Sequence, residues 1–353
     1  MKWVIYGANG YTGELAARYA VKRGLSPILA GRSQGPVDAL ATELGLPSAM
    51  VSLEDTEALD SLLSDADVVL HCAGPFSHTA KPMVEACLRT RTHYLDITGE
   101  MAVFRSVFKR DAEAKEAGVT LMPGVGFDVV PTDCMASMLH EALPGATHLE
   151  LAFGGLGSIS RGTLKTSIEG MSMGNWVRRE GRLVGVPTGS LTRTIPFSRK
   201  PRHGMAIPWG DVVTAFRTTQ IPNIVVYTAI PKKTVNWIRR SQPFQGLTAL
   251  KGVQWLLKKW VNSREPGPNE EMRERGYSDI WGRVEDGEGN WVEGNFTTPE
   301  GYTLTAMSAI QVVLELDNLK PGAWTPAGAL GHGLVGRIEG VTEAIITRGS
   351  KEG

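Results

Sequence analysis

Cysteine is scarce in this chain of 353 residues: Cys72, Cys87 and Cys134 are the only three, and no two form a CxxC pair or stand beside a histidine at ligand spacing. That pattern offers neither a disulfide framework nor a zinc centre, so a reducing compartment and no metal are expected. Also lacking is any run of about 18 uncharged apolar residues of the kind that crosses a bilayer. Met1 and Lys2 lead straight into the apolar Trp3-Val4-Ile5-Tyr6, without a basic stretch, a long apolar region and a cleavage site, so a cytoplasmic protein is expected. Net charge is lacking too, at zero for the whole chain, and nothing global calls for a nucleic-acid partner. Two catalytic signatures are missing: HExxH and Tyr-x-x-x-Lys. Zincin and tyrosine-lysine proton-relay readings lose their support with them.

What is present is a rhythm. Short apolar runs at Lys2 to Tyr6, Pro27 to Ala30, Ala49 to Leu53, Val68 to Cys72, His93 to Ile97 and Val119 to Met122 are separated by helix-length gaps. Between them, Glu14 to Arg23, Val37 to Leu44, Lys81 to Thr90 and Val103 to Ala117 read as helices. Strand and helix in alternation predict an α/β domain over residues 1–130, a doubly wound parallel sheet of the Rossmann type. Pro131 is suited to the first turn of a helix through Leu143, after which the rhythm is lost and glycine and proline multiply. Residues 131–300 are expected to form a second α+β domain for substrate and dimer contacts, inserted before a C-terminal segment. That segment, 301–353, reads as helical and is expected to return to the first domain. Glu293 to Glu300 reads as polar and turn-rich.

The loop Gly7-Ala8-Asn9-Gly10-Tyr11-Thr12-Gly13 follows a predicted strand and opens a predicted helix, the setting in which a glycine fingerprint means a dinucleotide. Its first glycine suits a tight turn, its second lets backbone N–H groups approach a pyrophosphate, and its third allows close helix packing. The second strand ends Ala30-Gly31-Arg32-Ser33, where an NAD-binding chain would carry an acid for the ribose hydroxyl. Arg32 can pair with a 2′-phosphate and Ser33 can add a hydroxyl, so NADP(H) is the expected cofactor.

Ligands of open α/β sheets lie beyond the carboxyl ends of the strands. There, His71-Cys72-Ala73-Gly74-Pro75-Phe76 offers small residues against which a nicotinamide ribose can lie. Asp96-Ile97-Thr98-Gly99-Glu100 and Gly124-Val125-Gly126-Phe127-Asp128 close the next two strands, with Asp133 following. A carboxyl in a dry pocket can supply the proton that accompanies hydride, and Glu100 and Asp128 are the candidates. Helix-end stabilisation by Asp128 or Asp133, and loop hydrogen bonding by Asp96, are equally open readings.

Taken together, GANGYTG (Gly7 to Gly13), AGPF (Ala73 to Phe76), YLDITGE (Tyr94 to Glu100) and GFDVVPTD (Gly126 to Asp133) resemble the saccharopine dehydrogenase-like oxidoreductase family. Downstream, Pro208-Trp209-Gly210-Asp211, Ile221 to Ile224, Gly301-Tyr302 and Thr325-Pro326-Ala327 continue the resemblance along the chain. Within that family the chain is more similar to trans-acting enoyl reductases of lipid and polyketide assembly, with Gly162-Thr163 and Val177 to Gly181 among the shared features. The resemblance implies an NADPH-dependent reduction of an activated C=C or C=N bond in a free or carrier-tethered acyl substrate, and a homodimer. Phe76, Phe127, Arg161, Thr163 and Lys165 are the expected substrate contacts. A saccharopine-type amino-acid dehydrogenase and a non-catalytic NADP-binding scaffold are the alternatives, since fold alone does not fix function.

Charge is segregated. From Gly181 to Arg264 Asp211 is the only acid, against fourteen lysines and arginines. Within this stretch Leu250, Val253, Leu257 and Trp260 recur at helical spacing beside Lys251, Lys258 and Lys259. An anionic partner, either an acidic carrier protein or an anionic membrane, is one expectation, and a helix packed on its own domain is the other.

Overall fold

The computed structural model describes residues 1–155, 157, 160–162, 164, 174–241, 252 and 267–350. The chain divides into two compact units, Met1–Val130 with Tyr302–Glu339, and Pro131–Gly301 with Gly340–Gly353.

In the first unit, β1 (Trp3–Tyr6), β2 (Ile28–Gly31), β3 (Ser48–Met50), β4 (Val68–His71), β5 (His93–Asp96), β6 (Thr120–Met122) and β15 (Gly322–Ala323) form one sheet, ordered β15-β6-β5-β4-β1-β2-β3. Every pairing is parallel. β1 and β4 are buried along their whole length, as strands covered on both faces must be. The covering helices are α1 (Tyr11–Lys22), α2 (Gln34–Leu44), α3 (Thr56–Ser64), α4 (Phe76–Thr90), α5 (Met101–Phe108) and α6 (Asp111–Ala117). Strand order reverses between β1 and β4, so the loops after these two strands flank the crevice where such sheets bind ligands. The stretch Val103 to Ala117, continuous in the sequence pattern, is broken into α5 and α6. Asp111, at the start of the second piece, accepts the N–H of Ala323 at 2.8 Å and so holds β15 to the sheet edge.

The second unit holds α7 (Val130–Ala142, whose first residue is assigned to the first unit) and a mixed sheet running β10-β11-β12-β7-β13-β14-β16. Its strands are β7 (His148–Gly154), β10 (Thr192–Ile195), β11 (Arg202–Ala206), β12 (Asn223–Ala229), β13 (Tyr277–Glu285), β14 (Trp291–Pro299) and β16 (Ile345–Gly349). β8 (Asn175–Arg179) joins β12 and pairs β9 (Arg182–Val186). The helices α8 (Asp211–Thr219), α9 (Lys232–Ser241) and α10 (Glu270–Arg275) complete the described part. The Arg178 guanidinium ties β8 to α8: its Nε donates to the Val212 carbonyl at 2.8 Å and its plane lies over the Phe216 ring.

Two sequence expectations are corrected here. Of the stretch Glu293 to Glu300, all but the last residue is not a turn but most of β14, whose burial alternates residue by residue. Val292, Gly294, Phe296 and Thr298 face inward, and the polar residues that suggested a turn fill the other face. The C-terminal segment also divides. α11 (Gly301–Leu314, whose first residue is assigned to the second unit), β15 and α12 (Pro326–Leu330) run with the first unit, α12 being started by Thr325, whose hydroxyl accepts the N–H of Gly328 at 3.0 Å. From Gly340 onward the chain belongs to the second unit, where β16 pairs antiparallel with β14 and covers an otherwise open edge.

Candidate functional site

The glycine loop is built by close approach. Gly7 sits at φ +82°, and a Cβ there would lie 2.7 Å from the backbone nitrogen of Ala73, so only glycine lets the loop after β1 touch the loop after β4. Gly13 lies in α1 with no room for a Cβ beside the Gly7 carbonyl oxygen, which brings the helix tight against the turn. Asn9 and Gly10 are exposed at the crest, and the start of α1 directs backbone N–H groups to that side. Tyr11 is held edge-on against Tyr302 of α11, ring centroids 5.1 Å apart, with Thr12 half-buried beside it. A cradle of glycines around an exposed helix start fits the pyrophosphate of a dinucleotide.

Arg32 and Ser33 follow β2, both exposed, and Ser33 is the residue before α2. Arg32 has no ion-pair partner among the described residues. Its charge is felt by the Tyr6 hydroxyl, whose pKa is raised by burial and drawn back down by Arg32. An unpaired guanidinium where a ribose would lie, with no acid at the end of β2, fits a 2′-phosphate.

His71 ends β4 and is fully buried, ringed by Tyr6, Phe76 and Tyr94. Burial pushes its imidazole down to about 3, so it is neutral. The next residues, Cys72, Ala73, Gly74 and Pro75, form a partly open loop with a cis Gly74–Pro75 bond. Burial pushes the Cys72 thiol up, so it is not a thiolate. Phe76 is half-buried over His71 at the start of α4.

Glu100 reaches across to that same helix start. Its Oε1 accepts the N–H of Phe76 and its Oε2 the N–H of Ser77, each at 2.9 Å. Both oxygens of this sequence candidate are thus engaged as a cap on α4, and they tie the loop after β5 to the loop after β4. Asp96 is likewise a fastener. Its carboxylate accepts from the Tyr94 hydroxyl at 2.5 Å and from the Thr98 and Gly124 amides at 2.9 and 2.8 Å. Burial raises its pKa to about 6, against the pull of those donors.

The third carboxyl is that of Asp128. It follows β6, half-buried, packed so closely on Gly99 that a Cβ at that position would run into Oδ2. Burial pushes its carboxyl up to about 7, the value a proton donor needs at neutral pH. Its loop is clamped by α11: the Phe127 N–H donates to Thr305 Oγ1 at 3.0 Å, and Ser308 Oγ donates to the Val125 carbonyl at 2.7 Å. Phe127 is a core residue here, buried beneath the loop, where the sequence suggested a substrate contact. Thr305 and Ser308 were not legible as site residues, because nothing in their local sequence marks a contact so far along the chain.

Asp133, the other acid of this motif, accepts the Thr218 hydroxyl inside the second unit. Arg161 is half-buried in that unit, whereas Thr163 and Lys165 lie outside the described residues, as does the stretch from Leu250 to Trp260 apart from Gly252.

Residues 3–122 match the family model of the saccharopine dehydrogenase NADP binding domain. A trans-acting enoyl reductase of Mycobacterium leprae is 33% identical over 146 residues, covering 39% of this chain and 35% of that protein. A saccharopine dehydrogenase-like oxidoreductase of Homo sapiens is 28% identical over 250 residues, covering 62% of this chain and 58% of that one. The matches therefore span about a third of the enoyl reductase and less than two thirds of the human relative. Among solved structures, apo saccharopine dehydrogenase (L-Glu forming) of Saccharomyces cerevisiae is similar with a TM-score of 0.69 at 12% identity, covering 99% of this chain and 100% of that chain. At that identity the likeness is one of fold.

Proposed function

We propose that this chain, whose first unit contains a saccharopine dehydrogenase-type NADP binding domain, is an NADPH-dependent reductase of an activated C=C or C=N bond, with Asp128 as the proton source. The observation that carries the reading is the presence of two features at the carboxyl ends of strands of one sheet: the glycine cradle with Arg32, and a half-buried carboxyl raised to about 7. When bound, the cofactor supplies the hydride. The protein's own part is position and protons. The turn from Gly7 to Gly13 would hold the pyrophosphate at the exposed start of α1, and Arg32 with Ser33 would hold the 2′-phosphate. The loop from Cys72 to Pro75, pinned by Glu100, sets where the reacting ring lies. Asp128 keeps a proton near neutral pH and can pass it to the substrate atom that gains charge.

An acyl-type substrate is favoured by the likeness to enoyl reductases over about a third of their length. Mixing the protein with NADPH and two panels, 2-enoyl thioesters and pairs of keto acid with amine, tests the proposal through loss of NADPH absorbance. Turnover of either panel supports a reductase: turnover of the thioesters assigns the C=C bond and an acyl substrate, and turnover confined to the amine pairs assigns the C=N bond of an amino-acid dehydrogenase. Tight NADPH binding with no oxidation in either panel overturns the reductase reading in favour of a scaffold.

A further inference from the structure

The basic stretch of the second unit is not absorbed by the reductase chemistry, and α9 carries its clearest feature. Val235 is buried and anchors this helix on its domain. With roughly 3.6 residues per turn, Lys233, Trp237 and Arg240 fall together on the opposite side. All three are exposed, and Trp237, at 68%, is the most exposed large apolar side chain among the described residues.

The same segment carries further cations. Lys232 and Arg239 both help burial push the His203 imidazole down, which places them beside β11, and Arg239 also donates to the Gly189 carbonyl at 2.7 Å. Arg199 and Lys200 are exposed in the turn between β10 and β11. The one acid of the segment offsets none of this at the surface: Asp211 is fully buried and accepts the Thr132 hydroxyl at 2.9 Å. Beyond the described part, the sequence keeps the same character in Trp255 and Trp260 with Lys251, Lys258 and Lys259.

We propose that the outward stripe of α9, Lys233-Trp237-Arg240, docks this protein onto anionic lipid bilayers. An indole is at home at the level of lipid headgroups, and flanking lysine and arginine side chains meet the phosphates there. A protein partner has to seat the indole in a pocket of its own. A bilayer needs only an aromatic crest with cations on either side, which is the arrangement on α9. Each cation near an anionic surface contributes about 1 kcal/mol, or about fivefold in binding.

The test is flotation of the full chain, with NADPH bound, on vesicles of phosphatidylcholine alone and of phosphatidylcholine mixed with phosphatidylglycerol, at low and high salt. Binding only to the mixed vesicles, weakened by salt, is expected. Lys233→Ala with Arg240→Ala lowers that binding about 25-fold, at the cited value per cation, with NADPH affinity unchanged. As a second readout, bromine-labelled lipid quenches part of the tryptophan emission, and the quenching falls in Trp237→Phe. No binding to mixed vesicles at low salt, or undiminished binding and quenching in these variants, overturns the proposal. Salt-sensitive capture by an acidic carrier protein without vesicle binding overturns it as well and assigns the stripe to a protein partner. NADPH affinity is read separately, so failure here leaves the reductase reading untouched.

Discussion

The loop after β1 and the loop after β6 are both strand-to-helix turns held by a glycine with positive φ, Gly7 at +82° and Gly124 at +79°, yet they are built to do opposite things. The first is open at its crest, where Asn9 and Gly10 meet solvent, and offers backbone to a ligand. The second is buried from Leu121 to Phe127, clamped by Thr305 and Ser308, and presents one carboxyl, that of Asp128. A site that grips phosphate can be made from main chain and needs little support. A site that must hold a proton needs a dry, braced surrounding, and distant parts of the chain supply it.

Breaking the second loop should cost most. Asp128→Asn is expected to lower kcat about a hundredfold or more while NADPH affinity stays as it was, measured by steady-state kinetics and titration. The pH dependence has a definite sign. Because the folded state holds the Asp128 proton up to about 7, stability falls as pH rises from the ordinary aspartate value towards 7, and kcat falls as pH rises through about 7. Both slopes should flatten in Asp128→Asn, as read from melting and rate profiles. An unchanged rate profile would remove Asp128 from the chemistry.

Loosening the tie between loops is the next test. Glu100→Ala removes the acceptors for Phe76 and Ser77 and should raise KM for NADPH about tenfold, the worth of one or two charge-assisted hydrogen bonds. Glu100→Gln retains one acceptor oxygen and should recover part of that loss. If Glu100 were instead the proton donor, kcat would collapse in both variants with KM little moved.

The smallest effect is expected from the brace. Thr305→Val deletes the acceptor for the Phe127 N–H and should cost about 1 kcal/mol or somewhat more of stability, seen as a lowered Tm. Stability unaffected by this change would mean that α11 does not brace the loop.

The same contrast explains what was legible in the sequence. The glycine cradle is local, seven residues whose chemistry is backbone chemistry, so spacing after a strand sufficed to find it. The parallel sheet was legible for a like reason, since strands buried on both faces are apolar throughout. The bracing of Asp128 depends on contacts 178 and 183 residues away in sequence, which no local pattern encodes. Glu100 showed as a loop carboxylate, but its task is set by α4, a neighbour only in space. β14 was missed because one of its faces is polar, and alternation at its outer end looked like a turn. Phe127, expected as a substrate contact, is buried in the core.

The central claim, that the open loop with Arg32 holds NADPH, is tested most directly by calorimetric titration of NADPH and NADH into the protein and into Arg32→Ala. The account predicts that the unaltered chain binds NADPH more tightly than NADH, by about tenfold or more, and that the variant loses this preference while its NADH affinity is unchanged. Equal affinities for the two cofactors before the substitution, or equal losses of both after it, would contradict it.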